Sequence, residues 1–274
     1  MFLVSMIWRN ILVAKKTTIC FACMVLLITV AFAQESEIYD IISTTGSIVD
    51  KRSGKPLKVG DKVSFQTELE FSSLQDRAVL LNSEKSKYFL ELPKETAISR
   101  QMTIASNQAL MPVKGRPALI TSSRGTIELT KEELLKYFQI DTYTVIGTQF
   151  KLPFKKETNR DLVFRYETDD DVVDNVLSNL TISKDDFNLQ GISIPECYVM
   201  LREGDKDTQI MQFSLFFVDK EQLFGEFDSL LKALDKEKND NRDTREILRQ
   251  YCTDVYGMID RNSLDSTIND YLAL

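Results

Sequence analysis

Residues 209–218 read QIMQFSLFFV, and residues 219–234 directly after them read DKEQLFGEFDSLLKAL. In the first stretch Met211, Phe213, Leu215 and Phe217 recur at every second position, which puts them on one face of a pleated strand. In the second, Leu223, Phe224, Phe227, Leu230, Leu231 and Leu234 recur at steps of three and four and form one stripe of a helix. The change of period falls at Asp219, a residue suited to cap the helix, with Gln222 at its third position. A strand that feeds an amphipathic helix in this way predicts an α+β fold.

Upstream, residues 197–202 alternate in the same way, and the polar turn Glu203-Gly204-Asp205-Lys206-Asp207 joins them to the quoted strand as a hairpin. Downstream, a charged stretch (235–242) leads to a helix that Asp243 and Glu246 open as a capping box. That helix is expected to bury Ile247, Leu248, Tyr251, Cys252, Val255 and Ile259. Ser263 starts a final short helix ending near Leu272. Thr130 and Glu133 form a further capping box before a short helix through Phe138, with strands expected at 142–150 and 162–166. Residues 126–274 thus read as an α+β C-terminal domain.

Residues 34–92 have a different texture. Runs at 38–44, 47–51, 62–65, 67–71, 78–81 and 88–92 are β-branched or aromatic, and Ser53-Gly54 and Gly60-Asp61 punctuate them. With no helical period, this is a small all-β domain. Between the two, residues 93–125 read as an irregular linker or crossover, broken by Pro93, Pro112 and Pro117.

The first 33 residues read as a cleavable signal peptide. Lys15 and Lys16 precede an apolar run from Ile19 to Phe32, and Ala31 and Ala33 frame a cleavage site before Gln34. The run is shorter than the roughly 20 residues a membrane span needs, so no span is expected once the leader is removed. The alternative is an uncleaved anchor, and translation starting at Met6 would shorten the long basic region. Neither Cys20 nor Cys23 has the small-residue setting of a lipid-acceptor cysteine. Of the 274 residues, 241 then remain; Arg9, Lys15 and Lys16 are lost and no acid is, leaving 31 basic against 41 acidic residues, a net −10. Such a charge disfavours phosphate backbones, so nucleic acid is not an expected partner.

The chain contains no histidine, which excludes Ser-His-Asp and Cys-His catalysis and the usual zinc sites. Its single tryptophan, Trp8, lies in the leader. Cys197 and Cys252 are the two cysteines beyond it; in an oxidising compartment they can pair as a disulfide, the alternative being two small buried thiols.

Within the β-rich stretch, Gly46-Ser47-Ile48-Val49, then Gly54, then Leu57-Lys58-Val59-Gly60-Asp61-Lys62-Val63 and Thr67-Glu68-Leu69 resemble the periplasmic FecR-like domain. The resemblance covers residues 38–92 and implies a β-sandwich-like module of the cell envelope that makes protein contacts rather than performing catalysis. It carries over no binding residue.

Three constellations bear chemistry. Positions 1, 3, 5, 7, 9 and 12 of the 235–246 stretch are Asp235, Glu237, Asn239, Asn241, Asp243 and Glu246, an oxygen at every ligand position of a calcium loop. Asp240 stands where such a loop needs glycine and Arg242 where it needs an apolar residue, so the expectation is no metal and a capping role for Asp243 and Glu246. Asp169-Asp170-Asp171 with Asp174 are cation ligands or, as expected here, a solvated helix start. Paired carboxylates can hydrolyse glycosides without histidine, but no pair stands out. Asn179-Leu180-Thr181 is a sequon of consequence only in a glycosylating pathway. The reading is therefore an exported, non-catalytic periplasmic or cell-envelope protein, without cofactor or metal, that binds another envelope protein. A divalent-cation-dependent binding module and a carboxylate-based hydrolase are the alternatives.

Overall fold

The six β-branched runs of the first third become strands, and a short β3 joins them: β1 (Ile38–Thr45), β2 (Ile48–Asp50), β3 (Lys55–Pro56), β4 (Lys62–Ser64), β5 (Glu68–Phe71), β6 (Arg77–Leu81) and β7 (Lys87–Glu91). The computed structural model describes residues 37–93, 102–113, 127–138, 141–168, 171–177, 179–187, 193–239 and 241–274. The expected leader lies outside the described residues, as do Asp169, Asp170 and Asp240.

Two more strands, β8 (Thr103–Ala105) and β9 (Leu110–Pro112), flank a one-turn helix α1 (Ser106–Ala109) in the stretch expected to be irregular. β8 pairs with β5 and β9 with β7. The result is a five-stranded sheet, β4-β1-β6-β7-β9, and a four-stranded sheet, β3-β2-β5-β8. Tyr39, Ile41, Leu80 and Leu90 of the first meet Ile48, Leu69, Phe71 and Ile104 of the second in one core.

The larger sheet is buried on both faces. Ala78 and Leu80 of β6 face the four-stranded sheet, whereas Val79, Leu81 and Ile42 pack among the C-terminal helices. Double burial is why β6 reads as an unbroken apolar run.

The middle of the chain supplies β10 (Ile127–Glu128), α2 (Lys131–Tyr137), β11 (Thr142–Ile146), β12 (Gln149–Lys151), β13 (Phe154–Lys155), β14 (Arg160–Glu167), β15 (Val172–Val176), β16 (Thr181–Ser183), β17 (Ser193–Glu203) and β18 (Lys206–Val218). With β19 (Met258–Ile259), five of these form a six-stranded mixed sheet in the order β15-β14-β17-β18-β11-β19. Its first four strands are antiparallel, and β11 runs parallel to both its neighbours. One face carries an aromatic core: Phe138 stacks on Phe213 at 5.4 Å and Phe164 meets Phe213 edge-on at 5.5 Å. The buried hydroxyls of Tyr137 and Tyr143 satisfy each other at 3.0 Å.

Helices α3 (Lys220–Ala233), α4 (Arg242–Tyr256) and α5 (Arg261–Ala273) close the chain. They share a core with Val218 at the end of β18 and with Ile42, Val79 and Leu81 of the five-stranded sheet. Thr144 of β11 also donates to the Tyr256 carbonyl at 2.6 Å. Residues Ile38–Leu274 consequently form one compact unit, and its class is α+β. No helix among the described residues is long and apolar enough to cross a membrane.

Several helix starts differ from expectation. Thr130 does accept from the Glu133 amide at 3.3 Å. The cap of α4, however, is Asn241, whose side chain accepts from the Thr244 amide at 2.8 Å. Asp243 therefore lies inside the first turn, and the expected capping box with Glu246 does not form. Asp219 holds the N-cap position of α3 without a side-chain capping bond. Asp260 caps α5 by accepting from the Ser263 amide at 2.9 Å, and that helix runs 13 residues. Gly257, at φ 72°, ends α4 and leaves Ile259 in β19 rather than in the helix.

Candidate functional site

The helices and β19 occupy only one end of the six-stranded sheet. At the other end β15, β14 and β17 keep an open face, which strand alternation and register define. Across it run Val172 opposite Glu167, Asp174 opposite Arg165 and Tyr198, and Val176 opposite Val163 and Met200. Beyond these, Asp161 pairs with Arg202, which faces Asp207 of β18. Val172 and Val176 are 53% and 38% exposed.

Four of these charges close a ring. Arg165 grips Asp174 with two bonds of 2.6 and 2.8 Å and reaches Asp207 at 2.8 Å. Arg202 bonds Asp207 at 2.7 and 3.0 Å and Asp174 at 2.6 Å. The links from Arg165 to Asp207 and from Arg202 to Asp174 pass over the row of Val163 and Met200, which are buried on an otherwise open face. The Arg165 hydrogen bond, with help from Arg202, lowers the Asp174 pKa to about 2, and Arg202 and Arg165 lower that of Asp207. The ring is internally neutral, with two arginines and two aspartates, and all four carboxylate oxygens accept.

A second polar cluster lies inside the molecule. Glu226 of α3, 1% exposed, accepts from Ser43 of β1 at 2.6 Å, Gln222 at 2.9 Å, Tyr251 at 2.9 Å, and Tyr256 at 2.7 and 2.8 Å. Burial, and then the Glu226 charge, push the Tyr251 and Tyr256 hydroxyls well above the usual tyrosine range. Beside it, Lys87 of β7 pairs with Asp254 of α4, which also accepts from Gln250 at 2.7 Å. Both clusters join β-sheet to helix, and the Glu226 cluster is closed to solvent.

No protein-family model matches this chain, and no curated protein and no solved structure is significantly similar to it.

The residues singled out in the sequence are placed as follows. Cys197 and Cys252 are both free and fully buried, in separate cores: Cys197 among the aromatic side chains under the sheet, Cys252 among the helices. The disulfide considered above is therefore not formed here. Burial pushes both thiols far up, which suppresses the nucleophilic thiolate. In the 235–246 stretch three of the six candidate ligands are engaged in other ways: Asn239 accepts from the Thr244 hydroxyl at 2.9 Å, Asn241 caps α4, and Glu246 lies 3.7 Å from Arg249. Among the described residues no group of three or more acidic or cysteine side chains is placed to hold a metal. Asp171 and Asp174 do not start a helix; Asp174 lies within β15, because its neighbours Val172, Val173 and Val176 favour a strand paired to β14. Asn179 is exposed.

Glu226 was not singled out by the sequence reading, though a signal exists: it falls three residues after Leu223 and four before Leu230, in line with the apolar stripe. Nothing local marks Arg165 and Arg202 as partners of Asp174 and Asp207.

Proposed function

We propose that this protein is an exported, non-catalytic component of the periplasm or cell envelope that works by binding another protein. The observation that carries this reading is the open end of the six-stranded sheet, where Val172 and Val176 point outward beside Tyr198. A strand face that exposes two valines and a tyrosine around an ion-pair ring is suited to contact and ill suited to enclosing a small substrate. The leader-like N-terminus and the FecR-like pattern at 38–92 agree with it. The missing histidine and the two buried thiols argue against nucleophilic chemistry.

The test combines processing and contact. Intact mass of the exported protein is expected to show a chain starting at Gln34 and lacking Trp8; retention of Trp8 would remove the export reading. Photo-crosslinkers placed at 172 and 176 are expected to capture one defined envelope protein, while a crosslinker at the exposed Glu237 captures none. Absence of any capture from 172 and 176 would sink the binding reading.

A further inference from the structure

The open face also carries acidic residues outside the ring. Glu167 ends β14 opposite Val172, and Glu196 stands one residue before Cys197, the register partner of Tyr166. Glu167 and Glu196 stand one step beyond that pair, and both sit close to Tyr198, which donates a hydrogen bond of 3.4 Å to Glu196 and whose hydroxyl is shifted up by desolvation and then by these two carboxylates. Asp161 lies at the far end of the same face, opposite Arg202. All three carboxylates are exposed, and among the described residues no ion pair engages any of them. Like charges brought near one another across neighbouring strands repel, and the fold tolerates this.

The face therefore combines two valines two residues on either side of Asp174, a tyrosine, an internally neutral ring and a surplus of negative charge. Val172 and Val176 are about 13 Å apart along the strand, given a rise of about 3.3 Å per residue. We infer that this face docks a cationic segment of the partner protein, one in which lysine or arginine side chains alternate with apolar ones. Its apolar side chains cover Val172, Val176 and the Tyr198 ring, and its cations meet Glu167, Glu196 and Asp161. Arg165 and Arg202 are already bound to Asp174 and Asp207 and do not repel it. The inference rests on the binding function proposed above and adds the chemistry of the partner.

The probe is a fluorescein-labelled peptide alternating lysine with valine, titrated against the protein from Gln34 onward and read by anisotropy, with a glutamate–valine peptide as counterpart. The lysine peptide is expected to bind and the glutamate peptide not to. Because exposed charges are screened within about 10 Å at 0.1 M salt, affinity is expected to fall about tenfold between low and physiological salt. The Glu167→Lys/Glu196→Lys double variant and the Val172→Ser/Val176→Ser double variant are each expected to lose about tenfold. Glu221→Lys/Glu237→Lys, which changes net charge equally at distant exposed sites, is expected to bind as the parent does. Circular dichroism melts verify that each variant is folded. Absence of binding by the lysine peptide overturns the inference, as does equal loss in the distant charge variant or no loss in the face variants. If crosslinks from 172 and 176 capture a partner while the lysine peptide fails, the cationic chemistry falls and the binding function stands; if those crosslinks capture nothing, the binding function itself falls.

Discussion

Glu226 is a carboxylate whose hydrogen-bond partners are all uncharged, held inside α3 by donors from β1, α3 and α4. Its replacement is informative because the donors stay behind. Glu226→Ala leaves the buried hydroxyls of Ser43, Tyr251 and Tyr256 without their acceptor, and a loss of about 3 kcal/mol is expected in urea unfolding. Glu226→Gln keeps an acceptor and should cost less; equal stability of the alanine variant would show that the cluster contributes nothing. Asp174 makes a pH prediction. Its folded pKa of about 2 lies below the unfolded value, so its contribution to stability is present above about pH 4 and disappears as pH falls toward 2. Thermal melts from pH 5 to 2 are expected to fall less steeply for Asp174→Asn than for the parent.

At the scale of elements, two local devices decide where segments start and turn. The β1–β2 and β5–β6 connections both cross between the two N-terminal sheets, and they meet at Gly46 and Asp76. Asp76 accepts from the Ser72 and Ser73 amides at 2.6 and 2.8 Å and from the Ser73 hydroxyl at 2.7 Å. Gly46 has φ 75°, and a Cβ there would lie 2.0 Å from Asp76 Oδ1. Gly46→Ala therefore combines left-handed strain with displacement of a bonded carboxylate and is expected to cost about 2–3 kcal/mol, measured by denaturant unfolding. The α4 cap separates two readings of one sequence. Asn241→Ala is expected to cost about 1 kcal/mol and Asp243→Ala clearly less; the reverse order would restore the capping box of Asp243 and Glu246.

For the whole molecule, the decisive feature is the core that α3, α4 and α5 share with Ile42, Val79 and Leu81. The five-stranded sheet cannot keep its second face dry without those helices, nor the helices without that sheet. Unfolding of the chain from Gln34 is accordingly expected to be one transition, coincident by calorimetry, far-UV circular dichroism and tyrosine fluorescence. Two separated transitions would show that the β-rich part is stable by itself.

The α+β class and most strand and helix positions were legible in the sequence, because a period of two or of about 3.6 is written into neighbouring residues by backbone geometry alone. The stripe from Leu223 to Leu234 and the alternation from Met211 to Phe217 needed no partner to be recognised. Other features required contacts between distant residues. β8 and β9 exist because β5 and β7 offer them an edge, and β6 lacks alternation because helices more than a hundred residues later cover its second face. Ser43 and Glu226 are 183 residues apart, and Arg165 and Asp207 are 42 apart. Such pairs carry no local signature: each side chain is ordinary where it stands, and only closure of the chain brings a charge opposite its partner or, as with Glu167 and Glu196, sets two like charges near one tyrosine.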